Sequence, residues 1–160
     1  MATSRDLTLI DQLVSVLDEA WEPEAPDAVS REYLADVSEK DLKDFTGRRV
    51  FLFPMEYQSD DENRAENRYG YRVGVTVLER FEDADKATSA AVKAWLDERL
   101  DFVETLLIDG FDYGNGGLLE FSGRRVWTES IECQQRYDVD LLAEKKLFRC
   151  DLAFVFREIQ

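Results

Sequence analysis

Tyr69-Gly70-Tyr71-Arg72-Val73-Gly74-Val75-Thr76-Val77 places tyrosine or valine at every second position, with glycine, arginine and threonine between them. Side chains alternate across a strand, so this period of two predicts a β-strand with one buried face. The end of the chain repeats the pattern. Phe148, Cys150, Leu152, Phe154 and Phe156 fall on one side, and Arg149, Asp151, Ala153, Val155 and Arg157 on the other. A face with that many large apolar groups needs a helix or a second sheet to cover it.

Working outward, Arg48–Phe53 reads as a further strand, entered through the turn Phe45-Thr46-Gly47 and closed by Pro54. Ala28 to Leu34 is a candidate edge strand, and Leu118–Phe121 and Val126–Ile131 are candidate strands. Asp112–Gly117, with three glycines, reads as a turn, because its spacing fits neither phosphate-binding fingerprint.

Two stretches carry the helical period instead. In residues 5–21, Ile10, Leu13, Val14, Leu17 and Trp21 recur every three or four positions. Thr3 or Ser4 caps that helix, and Pro23 and Pro26 forbid its continuation. From about Phe81 to Leu107 a longer helix presents Val92, Trp95, Leu96, Leu100, Phe102 and Val103 to the core, and Gly110 ends it. A shorter helical turn is expected at Ser38–Leu42. Without strict βαβ alternation, these elements predict an α+β fold: a mainly antiparallel sheet with the N-terminal helix and one long helix packed on one face. The 160 residues, 44% of them hydrophobic, make a single domain over 1–160 large enough to bury about 70% of its unfolded surface.

Residues 58–68 break this compact pattern. Gln58-Ser59-Asp60-Asp61-Glu62-Asn63-Arg64-Ala65-Glu66-Asn67-Arg68 is polar apart from one alanine and predicts a mobile acidic loop between strands. Asp60, Asp61 and Glu62 lack the alternating ligand positions of a calcium loop and read as a solvated charge run, and they are the candidate contacts should the loop order against a partner. Arg64, Arg68, Tyr69, Tyr71 and Arg72 form a basic, aromatic patch in an acidic chain. One account makes it a sheet face with cross-strand partners; the other makes it a subunit-docking patch, since Tyr and Arg are favoured at interface centres.

Composition narrows the chemistry. The chain has no histidine, which removes the commonest general base and metal ligand and excludes Ser-His-Asp and Cys-His mechanisms. Carboxylate-pair and Mg²⁺ chemistry needs none and stays open. Cys133 and Cys150 have no metal-type spacing and read as small buried hydrophobes. A net charge of −15 disfavours nucleic-acid and anionic-membrane partners. No apolar run approaches the ~20 residues of a membrane span, and the first residues lack a secretory pattern, so synthesis in a cytoplasm is expected.

The order of these features resembles the tail terminator and tail-completion proteins of long-tailed bacteriophages. The resemblance rests on Val29-Ser30-Arg31-Glu32-Tyr33-Leu34, Asp41-Leu42, Arg49–Pro54, the run Arg68–Val77 and the closing Asp151-Leu152-Ala153-Phe154-Val155-Phe156-Arg157. It covers most of the chain as an arrangement of elements and leaves out 110–145. What it implies is a non-enzymatic virion subunit without a cofactor, forming a ring, expected to be hexameric, at the head-proximal end of the tail. That ring would cap the tail tube protein and meet the head–tail connector, with DNA passing through a lining that repels phosphate. Two other classes fit acidity: a DNA-mimicking inhibitor, which needs a clustered carboxylate face, and a carboxylate- or metal-dependent hydrolase, which needs a pocket of convergent acids.

Overall fold

The computed structural model describes residues 5–21, 29–31, 47–55, 70–81, 89–105, 118–121, 124–135, 137–138, 140–142 and 147–159. They form helix α1 (Arg5–Trp21), strands β1 (Val29–Arg31), β2 (Arg48–Met55) and β3 (Gly70–Arg80), helix α2 (Ser89–Phe102), and strands β4 (Leu118–Phe121), β5 (Arg124–Gln135) and β6 (Leu147–Ile159). The six strands make one sheet in the order β1-β2-β3-β6-β5-β4. Every pairing is antiparallel except β1 with β2, which is parallel. The expected α+β class, with a mainly antiparallel sheet, is what the chain adopts.

The strand that opened the sequence reading lies at the centre. β3 pairs along its whole length with β6 and over most of it with β2. Direct cross-strand partners share a face, so Tyr71, Val73, Val75 and Val77 line up with Val50 and Leu52 on one side and with Cys150, Leu152, Phe154 and Phe156 on the other. All are buried in one cluster with Leu9, Ile10, Leu13 and Leu17 of α1 and Phe102 and Val103 at the end of α2. Both helices therefore cover the same face. The side chain of Trp21, expected on the apolar face of α1, lies outside the described residues.

α2 is fixed to that face by an ionic cluster. Glu79 of β3 accepts a forked pair of hydrogen bonds from Arg99 of α2, at 2.6 Å from Nε and 2.9 Å from Nη2. It also accepts one from Arg48 Nε of β2 at 3.1 Å. The Arg48 guanidinium lies 3.8 Å from the centre of the Phe102 ring, and Trp95 meets Phe148 edge-on. Burial pushes Arg48 below the ordinary arginine value despite the attraction of Glu79. Burial opposes charge on Arg99 too, but its hydrogen bonds and its attraction to Glu79 and Glu98 outweigh that and raise it. Arg99 thus contributes stability at every pH below the ordinary arginine range, losing it only as pH climbs through the raised value.

Several expectations change. β3 is buried on both faces through its middle, because Phe53 lies over Gly74 and Thr76 donates to Asp151 Oδ1 at 2.7 Å. Pro54 does not close β2 but pairs with Val73 inside it. β1 reaches only Val50 to Leu52, so this end of β2 is a sheet edge, where proline is tolerated. β5 outruns the expected Val126–Ile131 at both ends. The long helix is described from Ser89, with a wider turn at 103–105; Phe81, its expected start, directly follows β3 and is not helical, while 82–88, the last residues and the turn at Ser38–Leu42 lie outside the described residues. Cys150 is buried as expected, whereas Cys133 is exposed; both are free thiols. Gly47, at φ 76°, supplies the left-handed residue that the turn into β2 requires.

Two outcomes follow for stability. A Cβ on Gly74 would collide with the Phe53 ring. Gly74→Ala is expected to cost about 1–3 kcal/mol, and Phe53→Leu in the same chain to recover part of it, read as melting temperatures in a double-mutant cycle. Glu79→Gln removes the carboxylate that two largely buried guanidiniums share, leaving Arg99 its bond to the exposed Glu98, and is expected to cost about 3 kcal/mol. It should appear as a lower urea midpoint with an unchanged m-value.

Candidate functional site

With α1 and α2 on one face, the other face of the sheet carries only a short helical turn at 140–142 among the described residues, and its middle, from Phe53 through Thr76 to Ala153 and Val155, is buried. Register assigns its residues. From β2 come Arg49, Phe51 and Phe53; from β3, Arg72, Gly74, Thr76, Leu78 and Arg80. From β6 come Arg149, Asp151, Ala153, Val155 and Arg157, the set whose alternation was legible in the sequence. β5 adds Arg125 and Trp127, and beyond an irregularity at Thr128/Ser130, Ser130 and Glu132.

That irregularity is a β-bulge with Glu129 as the extra residue. Val126 is buried in the core and Ile131 packs against it, yet they are an odd number of residues apart. Strict alternation cannot turn both inward; one extra residue restores the phase. Trp127 is left outward, 36% exposed, the one large hydrophobic among the described residues to be so open.

Trp127 is the register partner of Arg157, and Arg125 lies two residues before it on the same side. Arg157 Nε donates to Glu129 Oε2 at 2.5 Å, and Arg72 Nη2 to Glu132 Oε2 at 2.9 Å across the intervening β6. Arg149 Nε donates to Asp151 Oδ2 at 3.1 Å, next to the Thr76 hydroxyl. The end near Leu78 and Leu147 is closed by packing with Phe51 and Leu141. Leu141 belongs to a short helical turn at 140–142 that Asp138 caps through its side chain. The open part of the face is therefore a tryptophan among arginines, several of them held by carboxylates. The aromatic ring supplies apolar area, and the guanidiniums supply planar, directional donors.

Of the residues singled out from the sequence, Arg72 lies on this face. Tyr71 does not, because it is the next residue along the strand and points the opposite way, fully buried in the core cluster. It is a core residue rather than an interface residue. Asp60, Asp61, Glu62, Arg64, Arg68 and Tyr69 lie outside the described residues. Trp127, Arg125 and Glu129 were missed, since a bulge hides the period that would have assigned them. Among the described residues no group of three or more His, Cys, Asp or Glu is placed to hold a metal ion, and no helix is long and apolar enough to cross a membrane.

No family model matches the chain, and no curated protein does. One of the solved structures that match aligns with 99% of this chain and 98% of its own at 13% identity, with a TM-score of 0.46. A likeness that loose carries no argument about this chain.

Because Trp127 stands outside the core, Trp127→Ser is expected to change the stability of the isolated subunit by less than about 1 kcal/mol. Phe154→Ser, in the core, is expected to cost several times more. Thermal melts of dilute protein compare the two.

Proposed function

We propose that this chain is a structural assembly subunit, and specifically a tail terminator: a ring that caps a bacteriophage tail tube and presents a surface to the head connector. The observation that supports this reading is an exposed tryptophan on the sheet face away from α1 and α2. Helices cover one face, and the other offers Trp127 between Arg125 and Arg157. A subunit built to assemble needs such a surface more than it needs a cleft. The order of elements that resembles tail-completion proteins supplies the particular assembly, with the virion as its location and the tail tube protein as partner. The net charge of −15 then keeps a passing genome from adhering to the ring. Catalysis has no part in this function.

A second observation bears on the DNA-mimic alternative. Asp97 and Asp101 of α2 and Glu104 of the wider turn after it recur at helical spacing and are all exposed, the kind of carboxylate stripe a mimic requires. On the terminator reading the stripe is a contact surface between subunits.

The deciding experiment adds purified chain to polymerising tail-tube protein and follows tube length by negative-stain microscopy. The expected result is short tubes with a ring at one end. Tubes of undiminished length, together with a monomeric mass by light scattering at high concentration, would sink the proposal. Displacement of DNA from a basic DNA-binding protein by the chain would favour the mimic instead.

A further inference from the structure

A helix is held on a sheet largely by the apolar side chains it buries there, and the two helices of this chain differ in that respect. Leu9, Ile10, Leu13 and Leu17 of α1 are all buried. Along α2, Trp95, Leu96 and Leu100 pack against the core yet stay only partly buried. Burial comes at its end, with Phe102 and with Val103 just beyond it. There the helical path widens at 103–105, an irregularity about which helices bend.

The middle of α2 is held by charge instead. Arg99 reaches Glu79 of β3 while its guanidinium lies 4.9 Å from the centre of the Trp95 ring. The cluster also divides cleanly along the boundary between helix and sheet. Arg48 keeps Glu79 on the sheet at 3.1 Å, and Arg99 Nη1 donates to Glu98 Oε2 on the helix at 2.9 Å. Separating the two layers therefore strands no lone charge, because each guanidinium retains a carboxylate.

We infer that α2 is a hinged cover, latched by Arg99 on Glu79, that lifts from the sheet about its buried C-terminal end while the sheet and α1 stay folded. Opening uncovers Phe148, which Trp95 meets edge-on, and Cys150, two residues further along β6 on the same face. Exposing that apolar strip to water is costly, so the lifted form is a minor population of the isolated subunit. A minor form of this kind is what a binding partner selects. The device belongs to the subunit itself and stands or falls apart from the assembly proposed above.

Cys150 reports the opening, since a buried thiol reacts only when it is uncovered. In a Cys133→Ser background, which leaves Cys150 the sole cysteine, its alkylation by iodoacetamide is followed at increasing urea. Below the unfolding midpoint the reaction is expected to run faster than global unfolding permits. Its rate should also rise with urea more gently than the equilibrium m-value dictates, because lifting one helix exposes less surface than unfolding. Arg99→Gln removes the latch and is expected to speed labelling on the order of tenfold or more, the worth of a charge-assisted hydrogen bond. Val126→Ala is the control: it lies in the core at the far end of β6, paired with Glu158. It is expected to lower the urea midpoint and leave labelling in water unchanged. Three results each overturn the cover: labelling that tracks the global m-value throughout, equal acceleration by Val126→Ala and Arg99→Gln, or no labelling below the midpoint. Should either variant fail to fold, the urea series of the Cys133→Ser chain decides alone.

Discussion

Glu79 stands near the end of β3, where its carboxylate holds the guanidinium of Arg99 from α2 and that of Arg48 from β2. Burying those charges is worthwhile only together, since each lone member would keep a desolvation cost that nothing offsets. Their meeting sets α2 across one particular face of the sheet. α1 reaches the same face by another route, through Leu9, Ile10, Leu13 and Leu17, and Arg31 of β1 holds Asp11 at 2.9 Å at its margin. Everything on the opposite face follows from that choice. The arginines of β3 and β6 and the ring of Trp127 lie outward because the aliphatic and aromatic residues between them are committed inward.

How much of this the sequence discloses depends on the range of the interaction. The alternation in β3 and β6 and the helical period of α1 are local, and they were legible. Placing Tyr71 beside Arg72 in one docking patch failed because neighbours in sequence lie on opposite faces of a strand. β5 was only partly legible: Val126 and Ile131 both turn inward across an odd separation, and a bulge is the device that permits it. The Glu79 cluster was not legible at all. Arg48, Glu79 and Arg99 are individually unremarkable charges, far apart in sequence, and no periodicity links them. The outward set of β6 was visible, but its use was hidden until register brought Trp127 and Arg72 alongside it.

Acidity changes meaning in the same way. As a bulk number, −15 speaks of solubility and repulsion. Resolved onto residues, it divides into two kinds: Asp97, Glu98 and Asp101 stand exposed on α2, whereas Glu129, Glu132 and Asp151 each hold an arginine on the sheet.

The sheet also tapers. Among the described residues its outermost strands, β1 and β4, are three and four residues long, while β3 and β6 within it run to eleven and thirteen. Pro54 further removes one main-chain donor near the β1 edge. Rims this brief offer a neighbouring chain few rungs on which to continue the ladder. A short edge is one of the devices by which a sheet resists the edge-to-edge addition of further strands.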